Sequence, residues 1–401
     1  MKRLFVIEPG LVNCGGHPIQ YALTINQYCD ERGIPLFVFC RNTVDDAVRQ
    51  RVPRLFPILQ HHTFPVLAEA DEGFSDALAQ VDSEFDLCEG DVIILSSAYI
   101  NELKGLRRFQ SQHRGRCPRI VVTLHQLYPP STHADDLLRK DYQSYWLDQL
   151  RAAARHLSNR PTISYWTPLC APLNAAYRDV LAQPVGMLPF VFVTDKLTHA
   201  ASPSRAPSLA CSFLGDGRQE KGLLILLEAL AALGTRAERF AFTIQVLNLR
   251  GYSDRELYRL NQLLSGLQDR VKMSLIEGVL APERFWETLV RSDVVCLPYH
   301  PGHYSVRASL VFVQALAAGV PVVASAQTWM GDEIASGRAT GMTFDYRSGL
   351  AQGTCERLAS CLVEVCSRYA DLASSAAAGS RFYRSLHSTH NYFWRIKSVL
   401  R

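Results

Sequence analysis

Several common signatures are missing from this chain, and each absence narrows its class. No apolar stretch reaches the ~20 residues that a membrane-spanning helix requires. The N-terminus, MKRLFVIEPG, has too short an apolar core for a signal peptide and reads as a first β-strand. The eleven cysteines include no Cys-x-x-Cys pair, which argues against a zinc ribbon or a dithiol redox centre. An odd, unpatterned set suits reduced thiols and a cytoplasmic setting. Gly-x-Gly-x-x-Gly is absent, so a dinucleotide is disfavoured, and the full Walker spacing is absent too. There is no repeat and no low-complexity tract. A net charge of +4 is too small to argue for nucleic acid as a partner.

What is present is a globular composition, 48% apolar and 20% charged, over 401 residues. That length predicts two domains. Residues 1–200 hold 20 basic and 21 acidic side chains and the rest hold 22 and 17, so the second half suits an anionic small ligand. Short apolar runs alternate with helical patterns. RLFVIE, PLFVFC, DVIILS and RIVVTLH predict buried strands in the first half; LACSFLG, FAFTIQVL, VKMSLIEG, DVVCLPY and GVPVVAS predict them in the second. Helices are predicted over Ile19–Glu31, Gly222–Leu233, Asp254–Leu264 and Pro282–Arg291. Strands that are apolar throughout are covered on both faces, which predicts parallel sheets between helices. The Ser-, Ala- and Pro-rich stretch Thr194–Ser208 reads as a linker between two doubly wound α/β domains, 1–195 and 209–383. In such sheets ligands bind beyond the carboxyl ends of the strands.

Those loops carry the candidate residues. Gly15 and Gly16 follow the first strand, where backbone N–H groups can approach an anion; a tight turn is the blander reading. His125 closes VVTLHQ at a strand's carboxyl end, where an imidazole can hydrogen-bond a sugar hydroxyl. In FLGDGRQEKG a strand runs into a glycine loop with Arg218 and Lys221, a candidate diphosphate site. In YHPGHYSVRASLVFVQALAAG a strand gives way to a polar loop and then an apolar helix. Tyr304, Arg307 and Ser309 stand at its entrance, and the free N–H groups near Ser309, Leu310 and Val311 can hold a phosphate. Gln314 is the one polar side chain inside that helix. An unpartnered buried amide costs about 1–3 kcal/mol, so Gln314 must be hydrogen-bonded, either to a nucleotide's ribose or to a neighbouring loop. His300 and His303 form a His-x-x-His without an apparent third ligand, and no metal site is expected.

Together these residues resemble the retaining GT-B glycosyltransferases of family 4, the glycosyl transferases group 1. The resemblance spans most of the chain and is strong in the second domain. GDGRQEKG is similar to that family's glycine, basic residue and Glu-Lys-Gly run, and VQALAAGVPVVAS to its Ala-x-Gly-x-Pro-Val-Val-x-Ser segment. IEGVL resembles its base-binding turn, which implies backbone contacts at Gly278 and Val279. TLHQ resembles the family's sugar-contacting histidine segment, NCGGHP its N-terminal glycine loop, and residues 384–401 its closing helix that crosses back to the first domain. Two family glutamates fall on Val306 and Gln314; glutamine can still grip a ribose. The family's Glu-Gly-Phe-Gly is replaced by VRAS, and Asp216 stands where a basic residue is usual, leaving Arg218 to take that task.

The resemblance implies two Rossmann-like domains facing a central cleft, with the acceptor on the first and a UDP- or GDP-linked sugar on the second. It implies metal-independent transfer with retention, to a sugar, lipid-linked glycan or protein acceptor. Arg218 and Lys221 would neutralise the departing diphosphate, and His125 would orient the sugar. An epimerase or phosphorylase on the same fold, or an inactive GT-B binding module, are the alternatives. The stretch 104–119 carries six Lys or Arg and no acid, so peripheral contact with the anionic inner face of a membrane is a further expectation.

Overall fold

The computed structural model describes residues 1–64, 66–67, 69–112, 118–129, 139–155, 157, 162–192, 208–268, 270–347 and 351–399. The expected linker 194–208 therefore lies outside the described residues except for Ser208, and so does part of the basic stretch, 113–117. The chain divides into two compact units.

The first unit is built on seven strands: β1 (Leu4–Ile7), β2 (Leu36–Arg41), β3 (Leu55–Leu59), β4 (Val92–Leu95), β5 (Arg119–Thr123), β6 (Ile163–Pro168) and β7 (Val185–Leu188). They run parallel in the order β3-β2-β1-β4-β5-β6-β7. The second unit has six, again parallel: β8 (Leu209–Phe213), β9 (Phe240–Val246), β10 (Lys272–Glu277), β11 (Val294–Leu297), β12 (Val322–Ser325) and β13 (Gly341–Phe344). Their order is β10-β9-β8-β11-β12-β13. Both are doubly wound sheets whose strand order reverses beside the first strand, which puts a crevice at the carboxyl ends of β1 and β4 and of β8 and β11.

All nine predicted strands form, and the four predicted helices run Gly16–Asp30, Leu223–Leu233, Asp254–Gln268 and Pro282–Val290. The apolar strands β1, β4, β11 and β12 are buried at every residue, as coverage on both faces requires. One expectation fails in part: β10 is not buried but exposes Lys272, Ser274 and Glu277. It is an edge strand, and charge on an edge blocks stray pairing.

Of the four strands not read from the sequence, β6 lies inside the first sheet, and β3, β7 and β13 are edges. β3 contains Pro57, which an edge strand tolerates because its N–H is not needed. β7 and β13 are edges too, each with a glycine where a neighbour takes the space. A Cβ at Gly186 would lie 2.3 Å from the Trp166 ring, and one at Gly341 would lie 2.1 Å from the Val322 carbonyl.

The last helix, Thr389–Val399, belongs to the first unit. Tyr392, Phe393 and Ile396 are buried in the same core as Leu4, Val6 and Ile19. Phe393 stacks on Tyr28 at 4.0 Å between ring centroids, and the hydroxyls of Tyr392 and Tyr21 are 2.7 Å apart. Among the described residues no helix is long and apolar enough to cross a membrane.

Candidate active site

In the first unit the loops after β1, β4 and β5 converge. Glu8, just past β1, is buried, and its carboxylate accepts from Gly10 N–H at 2.8 Å and Ser96 Oγ at 2.7 Å. Burial outweighs both hydrogen bonds and lifts its pKa above the ordinary carboxylate value. The Ser96 carbonyl accepts from His125 Nε2 at 2.7 Å. A carbonyl only accepts, so this contact places the proton of a neutral His125 on Nε2 and makes Nδ1 the acceptor. Glu8 thus braces the glycine loop and, through Ser96, the histidine.

Gly15 caps the helix Gly16–Asp30, its N–H donating to Asn13 Oδ1, and Gly16 takes φ +74°. That turn delivers His17, whose ring sits 5.5 Å from that of His125 and 5.6 Å from Phe190. Burial, and then the neighbouring His125, push the His17 pKa down to about 3, so it is neutral at pH 7. The expected residues Gly15, Gly16 and His125 therefore do come together, and His17 is the member the sequence did not single out.

In the second unit the loops after β8 and β11 meet at the switch point. The loop after β8 turns at Gly215 (φ +101°) and Gly222 (φ +73°). Glycine at 222 is a packing need as well, since a Cβ there would stand 2.0 Å from the Pro298 carbonyl. This close approach ties the β8 loop to the β11 loop, as does His300 N–H donating to the Glu220 carbonyl at 2.8 Å. The Lys221 Nζ folds back to 3.0 Å from where a Cβ on Gly215 would be, with Val311 Cγ2 3.9 Å from the same point. Glycine loop, lysine and helix entrance are thus one place. Burial, with Asp216 opposing it and Arg218 adding to it, brings the Lys221 pKa down to about 8.

Arg218 is placed differently. Its Nε lies 3.1 Å from Asp216 Oδ2 and a terminal nitrogen lies 2.9 Å from Glu220 Oε1. Burial raises the cost of the Glu220 charge, but Arg218, then Arg307, outweigh it and hold that carboxyl below the usual range. Arg307 instead lies over the Tyr304 ring at 5.3 Å, and Tyr304 packs on Tyr299 at 4.4 Å.

Ser309 caps the helix Leu310–Ala318, its hydroxyl accepting from Phe312 N–H. That leaves the N–H groups of Leu310 and Val311 at the open end of the helix. Gln314 is buried at 1% exposure within it. The expected base-binding turn lies on the same edge. Gly278 takes φ +85°, Val279 is exposed, and Gln245 links the two loops by accepting from Gly215 N–H at 2.8 Å and donating to the Gly278 carbonyl at 2.9 Å. Gln245 was visible in principle, as a lone amide in the apolar run FAFTIQVL.

His303 is buried, with Nε2 lacking a hydrogen-bond partner among the described residues, and burial brings its pKa down to about 3. His300 uses Nδ1 to accept from Gly302 N–H. Among the described residues no three metal-binding side chains gather. In the described part of the basic stretch, Arg108 pairs with Glu72.

Residues 209–362 match the family model described as Glycosyl transferases group 1. No curated protein matches the chain in sequence. Among solved structures, Anabaena Alr3699/HepE in complex with UDP and glucose shares 14% identity over 100% of this chain and 99% of that one, at a TM-score of 0.68. Sucrose-phosphate synthase from Thermosynechococcus elongatus is 14% identical over 100% and 98%, at 0.66. A trehalose-6-phosphate structure from E. coli bound with UDP-2-fluoro glucose is 12% identical over 100% and 99%, at 0.63. The chain has the GT-B fold, and its second unit carries the match to the group 1 glycosyltransferases.

Proposed function

We propose that this protein is a glycosyltransferase that moves a sugar from a UDP- or GDP-linked donor to an acceptor, with retention and without a metal ion. The observation that carries this reading is the position of Lys221. Its ammonium sits against Gly215 and beside the start of the helix Leu310–Ala318, at the carboxyl ends of β8 and β11. A cation, a glycine loop and a helix N-terminus at a switch point suit a diphosphate. As the glycosidic bond breaks, charge grows on that diphosphate, and a preorganised cation lowers the barrier most where charge develops. The family match of the second unit and the UDP-containing relatives support the same donor class.

Gln314 would hold ribose hydroxyls, Gly278 and Val279 the base, and His125 a donor-sugar hydroxyl. The acceptor hydroxyl would attack from the face the leaving group departs. A cytoplasmic enzyme with a sugar, glycan or protein acceptor is the setting we infer. The test is to incubate the protein with a panel of UDP- and GDP-sugars and follow release of the nucleoside diphosphate to water or to added sugars. Release from one donor that disappears in Lys221→Ala supports the reading. No release and no calorimetric binding of any nucleoside diphosphate would sink it in favour of a GT-B module without donor chemistry.

A further inference from the structure

Three cationic side chains surround the helix entrance at 310, and their surroundings differ sharply. Arg218 is held by two carboxylates, Asp216 at 3.1 Å and Glu220 at 2.9 Å, and its side chain is only 14% exposed. Glu220 is only 10% exposed, so freeing the guanidinium would leave a poorly solvated carboxylate unpaired, which is costly, although Arg218 Nε itself makes no hydrogen bond among the described residues. Lys221 and Arg307 form no ion pair with any described residue. Their recorded contacts are with rings: Lys221 Nζ lies 5.7 Å from the Tyr299 centroid and Arg307 Cζ lies 5.3 Å from that of Tyr304. Those two rings pack on each other, so the two cations rest on one aromatic pair. Arg307 is half-buried among the loop residues rather than out in solvent.

We infer that Arg307, together with Lys221, is the cation pair that meets the donor's diphosphate, and that Arg218 is a positioning residue that never touches it. This deepens the proposed function and rests on it. The charges fit: two unpaired cations face a ligand carrying about two negative charges, while Arg218, Asp216 and Glu220 form a separate group. Arg307 lies over the Tyr304 ring without a carboxylate partner among the described residues, and a guanidinium can make bidentate contact with phosphate oxygens. Arg218 instead ties the β8 loop together. Asp216 and Glu220 lie on either side of it in the chain, and the Glu220 carbonyl accepts from His300 N–H of the β11 loop. Its removal would act through the shape of both loops.

The test is calorimetric binding of UDP, GDP, uridine and guanosine to the wild type and to Arg307→Gln, Arg218→Gln and the triple change Arg218→Gln, Asp216→Asn and Glu220→Gln, with melting temperatures beside them. Arg307→Gln should weaken the nucleoside diphosphate about tenfold to a hundredfold, the loss of a charged hydrogen-bonded contact. It should leave the matching nucleoside and the melting temperature unchanged. Arg218→Gln should lower the melting temperature and weaken nucleoside and nucleoside diphosphate alike. Neutralising the two carboxylates with it should restore much of the melting temperature and, with it, diphosphate binding. The inference is overturned if Arg307→Gln binds the diphosphate as the wild type does. It is also overturned if Arg218→Gln loses the diphosphate selectively at unchanged melting temperature, or if the neutralised form stays folded without binding it. A wild type that binds none of the four ligands overturns the proposed function itself, and this inference with it.

Discussion

The two units share a strand order up to their last edge, yet their ligand edges are furnished in opposite ways. Beyond β1 and β4 stand a buried, uncompensated carboxyl and two imidazoles, with no lysine or arginine among the residues braced there. Beyond β8 and β11 stand three cations, two carboxylates and a helix entrance. The same topology opens the same crevice, and side chains decide what it receives. A hydrogen-bonding edge without lysine or arginine suits hydroxyls; one rich in cations suits phosphate. On the proposed function, the donor's phosphates would fall to the second unit and orientation of its sugar to the first.

The largest expected effect would sharpen this division. Lys221→Ala should lower turnover by about 10²–10³, as loss of one transition-state donor does, and should weaken a nucleoside diphosphate more than its nucleoside. His125→Ala should lower turnover while leaving calorimetric affinity for the nucleoside diphosphate untouched. A fall in that affinity on removing His125 would break the division between units.

Next in size is a pair of glycine substitutions. Gly222 and Gly16 have nearly the same φ, +73° and +74°, but Gly222 faces the Pro298 carbonyl whereas the nearest atom to a Cβ on Gly16 is 3.7 Å away. Gly16→Ala should cost only the left-handed backbone, roughly 1–2 kcal/mol. Gly222→Ala adds a backbone clash and should cost roughly 3 kcal/mol or more. Equal losses in denaturant unfolding would mean the β8 and β11 loops are not pressed together.

A smaller effect should appear equally in both units. His387, hydrogen-bonded to the Phe190 carbonyl, and His303 each have a pKa brought down to about 3 by burial. The unfolded chain takes up these protons below about pH 6.5 and the folded one does not. Stability from keeping them neutral is therefore present above pH 6.5 and is lost as pH falls toward 3, about 2 kcal/mol for each at pH 5. Stability measured from pH 7 to pH 4 should fall less steeply in His303→Asn and in His387→Asn than in the wild type. An unchanged slope in either would show that histidine to be solvated.

The smallest concerns Gln314. Gln314→Leu should weaken nucleotide binding by about 1.5 kcal/mol, roughly tenfold, with little change in melting temperature. Intact affinity with a lower melting temperature would make Gln314 a brace for the second unit instead.

Apolar runs, glycine punctuation and chain length were enough to predict two doubly wound sheets, nine of the thirteen strands and the loops that carry the candidate site, because a strand covered on both faces must be apolar throughout. The edge strands β3, β7 and β13 escaped because one of their sides meets water or a single large neighbour, as Gly186 meets Trp166, and no local pattern records that. Among the site residues, Lys221, Arg307 and His125 were legible by residue type and place in the chain. What only the tertiary structure decided is which cation is already paired. Asp216, Arg218 and Glu220 read in the sequence as a charged loop; the structure places both carboxylates on the arginine, and sets Lys221 against Tyr299 of a loop some 80 residues away, beside Arg307 on Tyr304. Which cation pairs depends on side-chain direction and burial, and the approach of Lys221 to the tyrosines of another loop exists only once the sheet has formed.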